Sequence, residues 1–338
     1  MSGTVPFVVG QWVRGERFYG RAAELARLLA GGEARCVWVA GLRRIGKTSL
    51  LRHLELLAGQ DGRLPLFWDL QGVDDAAELA LGFTDALVDA EEQLARHGIA
   101  LAEVENGSLV GAVGRLLRAL EQRGLRLLLL CDEADELVRL AEACPQVVGE
   151  LGRVLLSSPA TAVILTCSPR ASARAAAAGE GGPLTATLGA PFHLGVLTHE
   201  EAGRLLRQEQ LPAGARPPFH ELTVEAIRQQ CGNHPMLLQL VGRRCLELGN
   251  EQEACRQVAA DATLEHLFAV DLGLLSGDEG KFLRAVACAS CQGADPASTD
   301  GSAPRRLLAL GLLHAGPDGR LFVPNRFLAH WLRRRAAA

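Results

Sequence analysis

Val37-Trp38-Val39-Ala40-Gly41-Leu42-Arg43-Arg44-Ile45-Gly46-Lys47-Thr48-Ser49-Leu50-Leu51 is the stretch that decides the fold. Its apolar opening, Val37 to Ala40, reads as a buried strand. Gly41 to Thr48 fits G-x-x-x-x-G-K-[ST], and Leu50, Leu51, Leu54 and Leu57 then recur at helical spacing. Strand, glycine loop and helix in that order are the context a phosphate-binding loop requires. Gly41 and Gly46 let the backbone curl so that its N–H groups point inward, and the N-terminus of the next helix adds partial positive charge. Lys47 would reach β- and γ-phosphates, and the Thr48 hydroxyl would ligate Mg²⁺. A chance glycine-rich turn before a helix is the bland alternative, and the flanking pattern argues against it.

Composition sharpens that signal. The chain has 35 basic residues, yet Lys47 and Lys281 are its only lysines. A sequence that otherwise uses arginine has kept lysine where a compact ammonium on a flexible stem is wanted.

The other bulk properties set limits. A length of 338 residues suggests two or three domains, and 48% apolar content can bury a sizeable core. A net charge of -4 gives no global basic excess, so non-specific nucleic-acid binding is not advertised. No apolar run approaches about 18 residues, so no membrane span is expected. The N-terminal residues lack the pattern of a secretory signal. Nine scattered cysteines read as reduced thiols of a cytoplasmic protein. Cys288-x-x-Cys291 is the one close pair, and it reads as small buried apolar residues more readily than as half a metal site.

Along the chain, Phe18-Tyr19-Gly20-Arg21 and Glu24 lead into a helix marked by Leu25, Leu28 and Leu29. Arg63 to Leu70 is a second strand candidate. Helical patterns follow over about 76–97 and 109–123. Leu127-Leu128-Leu129-Leu130-Cys131 then ends in Asp132-Glu133, as a central parallel strand does, and the carboxyl end of such a strand is where an open α/β sheet places ligands. Asp132 would hold Mg²⁺ through water, and Glu133 would polarise the attacking water. A helix start enriched in acids is the alternative, and Asp135 and Glu136 fit it as solvated first-turn residues. After a helix near 147–156, Ala162 to Leu165 is another strand, ending in Thr166-Cys167-Ser168-Pro169-Arg170. Thr166, Ser168 or Arg170 could sense a γ-phosphate there, and a plain strand-to-turn transition is the competing reading.

Residues 171–183 read as a loop or frayed helix, and 191–197 as a last strand. Thr198-His199-Glu200-Glu201 fits a capping box. Strand patterns stop there. Residues 198–250 are helical with breaks at 212–218 and at Cys231-Gly232-Asn233-His234-Pro235, and 251–270 form a helical connector. In 271–335 a helix over 278–289, a loop at Asp295-Pro296, a helix from Pro304, a hairpin turning at Gly316-Pro317-Asp318-Gly319 and a last helix from Arg326 outline a winged helix. The expected organisation is an α/β P-loop ATPase domain over 1–197 with a parallel sheet, a helical lid over 198–270 and a winged-helix domain over 271–338.

With these motifs in place, the chain resembles the STAND branch of the AAA+-like P-loop ATPases over about residues 15–335. Gly41 to Leu50 looks like that family's Walker A with its double arginine, and Leu128 to Glu133 looks like Walker B with the hydrolytic glutamate. Phe18-Tyr19-Gly20-Arg21 is similar to the adenine-side motif. Gly232-Asn233-His234-Pro235 resembles the lid motif whose proline packs near adenine. The resemblance implies ATP/ADP and Mg²⁺ as ligands. It implies nucleotide contacts from Tyr19, Gly20, Arg21, Gly41, Arg43, Arg44, Ile45, Gly46, Lys47, Thr48, Ser49 and Pro235, with Thr48 and Asp132 on the metal. Lys47, Asp132, Glu133 and Arg170 are the candidate catalytic residues. The sensor strand departs from the family pattern. Arg170 and Arg174 are weak arginine-finger candidates, so trans-activation across an oligomer is unsupported.

Family members usually carry an N-terminal effector and a C-terminal repeat array, and no repeat of about 20–50 residues is visible here. The leading expectation is therefore a slow ATPase acting as a molecular switch. It would control a separate effector or sensor partner, in signalling or anti-phage defence, as part of a homo- or hetero-oligomer. The alternative is an AAA+ ATPase acting on DNA, similar to origin-recognition or transposition-associated relatives. It would use Arg305, Arg306, Arg320 and Arg333-Arg334-Arg335, which otherwise solvate a surface. A scaffold that binds nucleotide without turnover is the third reading, and Glu133 argues against it.

Overall fold

The computed structural model describes residues 6–30, 35–59, 62–105, 107–177, 191–289 and 302–337. The chain divides into two compact units. A sheet unit comprises Ala22–Ala40 and Lys47–Phe192. A helical unit comprises Met1–Arg21, Gly41–Gly46 and His193–Ala338.

Five strands make the main sheet: β1 (Cys36–Gly41), β2 (Arg63–Asp69), β3 (Arg126–Asp132), β4 (Thr161–Cys167) and β5 (Phe192–Leu194), in spatial order β2-β3-β4-β1-β5. β2 runs parallel to β3, β3 to β4, and β4 to β1. Successive side chains of a strand face opposite sides of a sheet. Since Leu127 to Cys131 are all at most 2% exposed, both faces of β3 are covered, as its unbroken apolar run requires. The helices Lys47–Ala58, Ala76–Asp89 and Leu109–Glu121 pack on β2 and β3, and Pro145–Ser157 packs on β4. Pro65 lies in β2, an edge strand, the place in a sheet where proline is tolerated.

Two local expectations are corrected. The long pattern over 76–97 is two helices, Ala76–Asp89 and Glu91–Arg96, hinged at Ala90. Glu91 and Glu92 would be mid-helix in one long element. In two helices they occupy a first turn, where the helix dipole favours carboxylates. The strand expected over 191–197 is only Phe192–Leu194. A Cβ at Gly195 would lie 2.9 Å from the Ala309 carbonyl oxygen, a close approach that only glycine permits. Residues 171–177 continue the helix Pro169–Ala177. The remainder of 171–183 and the Asp295-Pro296 loop lie outside the described residues.

The helical unit begins its run with His199–Arg207, whose capping box is complete. Thr198 Oγ1 accepts from Glu201 N, and Glu201 Oε2 accepts from Thr198 N. Helices Glu221–Cys231, Pro235–Leu248, Glu251–Ala259, Ala262–Gly273 and Gly277–Cys288 follow. Then come Ser302–Ala309, the antiparallel pair β6 (His314–Ala315) and β7 (Leu321–Phe322), and Arg326–Ala337. One core joins residues such as Leu206, Ile227 and Leu237 to Leu283, Val286, Leu307 and Trp331 near the C-terminus. No described helix is long and apolar enough to cross a membrane. The described cysteines are free thiols, most of them buried, and Cys291 lies outside the described residues.

Candidate functional site

In the sheet unit the site forms where β1, β3 and β4 end together, with Ala40 beside Cys167 and Cys131 beside Leu165. Asp132, the last residue of β3, is 4% exposed. A buried carboxylate needs donors, and Asp132 has two hydroxyls. Thr48 Oγ1, in the first turn of the helix Lys47–Ala58, donates to Asp132 Oδ2 at 2.6 Å. Thr166 Oγ1, on β4, donates to Asp132 Oδ1. A carboxylate paired with a hydroxyl is a hard-oxygen donor set of the kind Mg²⁺ takes. Thr48 and Asp132 therefore fit that ion.

Lys47 is buried at the start of the same helix, and Ser49 is half-buried beside it. Glu133 is exposed and adopts φ +54°, a left-handed conformation that is strained for a side chain with a Cβ. Such strain, about 1–3 kcal/mol, gathers at functional sites. The Cys167 thiol registers the charges converging here. Burial pushes its pKa far up, and the carboxylates of Asp135 and Glu133 push the same way while Lys47 opposes them.

Among the sensor candidates only Thr166 reaches Asp132. Ser168 is engaged by Asp135, whose carboxylate accepts from Ser168 N at 2.8 Å and from its hydroxyl. Asp135 thus fastens the exit of β4 and is not a solvated first-turn acid. The signal for it was Ser168-Pro169, an N-cap followed by a proline at N1, with Ser168 Oγ accepting from Ala171 N at 3.1 Å. Glu136 pairs with Arg139. Arg170 is exposed in the first turn of that helix, and Arg174 forms an exposed pair with Glu142 at 2.6 Å.

The helical unit holds Gly41–Gly46 of the glycine loop. A Cβ at Gly41 would sit 2.9 Å from Ile45 Cγ2 and 3.1 Å from the Leu194 oxygen, so glycine is needed there by space. Gly46 is needed by conformation. Its φ is +100°, and nothing lies within 4 Å of where a Cβ would be, leaving the hollow of the loop clear. Ile45 is buried, while Arg43 and Arg44 are exposed. Arg44 has φ +59°, and its Nη1 donates to the Gly10 oxygen at 3.2 Å. Arg43 N donates to Asp271 Oδ1 at 3.0 Å.

The Tyr19-Gly20-Arg21 motif is built into the same unit. Tyr19 is 4% exposed, its Oη accepts from Gln210 N at 3.2 Å, and burial raises its phenol pKa. Gly20 has φ +77°, and a Cβ there would meet Glu201 Cδ at 2.6 Å. Arg21 N donates to Glu201 Oε1 at 2.6 Å. The buried Arg21 guanidinium donates to the carbonyls of Gly195 at 2.6 Å, Val196 at 3.3 Å and Ile45 at 3.4 Å. It joins the phosphate loop to the start of the helical run. Pro235 opens the helix Pro235–Leu248 and is half-buried. His234 precedes it, 6% exposed, with neither ring nitrogen hydrogen-bonded among the described residues. Burial lowers its pKa to about 4, and the neighbouring Arg43 backbone acts in the opposite sense.

Several of the arginines weighed for DNA are occupied. Arg306 pairs with the buried Glu279, Arg320 with Asp318, Arg333 Nε donates to the Ala287 oxygen, and Arg335 lies over Trp331. Arg305 and Arg334 are exposed and carry no ion pair among the described residues.

No protein-family model matches this chain, and no curated protein matches it in sequence. Solved structures do match it. A Walker-type ATPase of Pyrococcus abyssi superposes with a TM-score of 0.68 at 18% identity, covering 97% of this chain and 99% of its own. The ORC2 protein of Aeropyrum pernix, solved with ADPNP and ADP, gives 0.55 at 16% identity, covering 100% and 99%. Its ADP form gives 0.53 at 16%, covering 98% and 97%. The fold is therefore that of the AAA+-like P-loop ATPases, a parallel sheet followed by helices.

Because the Arg21 guanidinium is spent on backbone carbonyls inside one unit, Arg21→Ala should lower unfolding stability by about 3 kcal/mol without any nucleotide present. Denaturant unfolding checks this. Unchanged stability would mean that Arg21 serves a ligand alone.

Proposed function

We propose that this chain binds MgATP at the Walker loop, hydrolyses it slowly, and acts as a switch on a separate effector or sensor partner in signalling or defence. The observation that carries the reading is the bridge from Thr48 through Asp132 to Thr166. It ties the helix after the phosphate loop to the ends of β3 and β4. The carboxyl ends of parallel strands are where such sheets hold nucleotides.

In this reading Lys47 and the loop N–H groups hold the phosphates, with Tyr19 and Pro235 on the adenine side. Thr48 and Asp132 would hold Mg²⁺, which would supply charge neutralisation for phosphoryl transfer. Glu133 orients the attacking water and takes its proton. Thr166 keeps the Asp132 carboxylate in place and responds to whatever displaces the Thr48 hydroxyl. The γ-phosphate supplies contacts that ADP lacks, and that difference is what a two-state element needs in order to switch.

The DNA-acting alternative shares this fold and rests on Arg305 and Arg334. Affinity for duplex DNA that falls steeply between about 50 and 200 mM salt would favour it, and an absent or flat response favours the switch.

Hydrolysis tests the main reading. Glu133→Gln should retain ATP binding and lose about 10²–10⁴-fold in turnover, measured as phosphate release. Turnover equal to wild type would remove Glu133 from the chemistry. No turnover in either protein would support a nucleotide-binding scaffold instead.

A further inference from the structure

The Arg43 peptide sits between two side chains that the Walker motifs do not explain. Asp271 lies in the last turn of the helix Ala262–Gly273 and is 7% exposed. That is a poor place for a carboxylate, since the C-terminal end of a helix repels negative charge and burial removes water. Its Oδ1 accepts the Arg43 N–H. Loop N–H groups of this kind are what phosphate oxygens take when a nucleotide binds. His234 stands beside the same peptide from the lid side, buried, with both ring nitrogens unpartnered among the described residues. An imidazole N–H without an acceptor is costly in a protein interior, and native structures hold few such groups. It lacks an anion.

We propose that Asp271 is an internal anion held against the phosphate loop, displaced by the triphosphate of ATP and tolerated by ADP, and that His234 donates its N–H to the phosphate that takes its place. The proposal rests on the functional reading above and assigns the moving part of the switch. ATP carries more negative charge than ADP, so it repels the buried carboxylate more strongly and gains more from the freed N–H groups. The helix that carries Asp271 links the helices of 199–259 to those of 277–337. Releasing the carboxylate therefore frees the start of the C-terminal segment inside the same unit. Differential affinity for two arrangements is thereby tied to the hold of Asp271 on the Arg43 peptide.

Asp271→Asn isolates the charge, because an amide oxygen can still accept the Arg43 N–H. Binding of MgATPγS and MgADP to the full chain is measured by titration calorimetry. The variant should bind MgATPγS about tenfold more tightly while MgADP affinity stays within about twofold. A residue that merely props up the loop would weaken both nucleotides together. An unchanged ratio of the two affinities, or a parallel loss, would overturn the proposal while leaving nucleotide binding intact. Wild-type protein that bound neither nucleotide would overturn the functional reading, and this proposal with it.

Hydrogen exchange of the wild-type chain gives a second measurement that needs no variant. Peptides covering residues 262–273 should exchange faster with MgATPγS than with MgADP. Equal protection in the two states would contradict the displacement.

Discussion

Asp132 holds this site together. It is a buried carboxylate at the end of an apolar strand, and such a group is stable only while donors surround it. The two donors come from distant parts of the chain: Thr48 after the glycine loop and Thr166 on the strand between β1 and β3. The constraint therefore fixes three things together: the position of the loop helix, the register of β4 against β3, and the location of a hard-oxygen donor pair. Removing either hydroxyl would leave an under-satisfied charge, so the geometry is self-enforcing.

The backbone at other motif positions follows the same logic. Glu133, Arg44 and Arg21 all take up left-handed backbone despite having side chains, and all three lie in motifs already implicated by the sequence. Local strain of this kind persists only where the surroundings over-determine it. For Arg21 the surroundings are on view. Glu201 accepts its N–H, three carbonyls accept from its guanidinium, and Gly20 before it leaves room for the Glu201 carboxylate. Glu201 serves two masters, completing the cap of its own helix and holding the Arg21 backbone.

What could be read in the sequence was what is local. The Walker loop declares itself within fifteen residues because strand, glycines, lysine and helix are contiguous. The apolar run before Asp132 declares a strand covered on both faces, and the Thr198–Glu201 box declares a helix start. What could not be read depends on pairing over distance. Nothing in the β4 sequence says that it lies between β1 and β3, so three sensor candidates looked equivalent until Thr166 proved to share Asp132. Asp135 looked like an ordinary first-turn acid because its partner, Ser168, is on another strand's exit. Asp271 was silent for the same reason, an acid late in a connector helix that accepts from a backbone N–H more than two hundred residues away. The break at Ala90 left no mark in the sequence because the helical pattern continues across it without a glycine or proline.

Every proposed role in this chain depends on Lys47 gathering phosphate at a glycine-bent loop. Equilibrium binding of MgATP to the full chain and to Lys47→Ala tests this most directly. A loss of affinity of roughly 10- to 100-fold, as expected for removing a charge-assisted contact, with the fold intact by circular dichroism, is the predicted result. Equal affinity in the two proteins would contradict it.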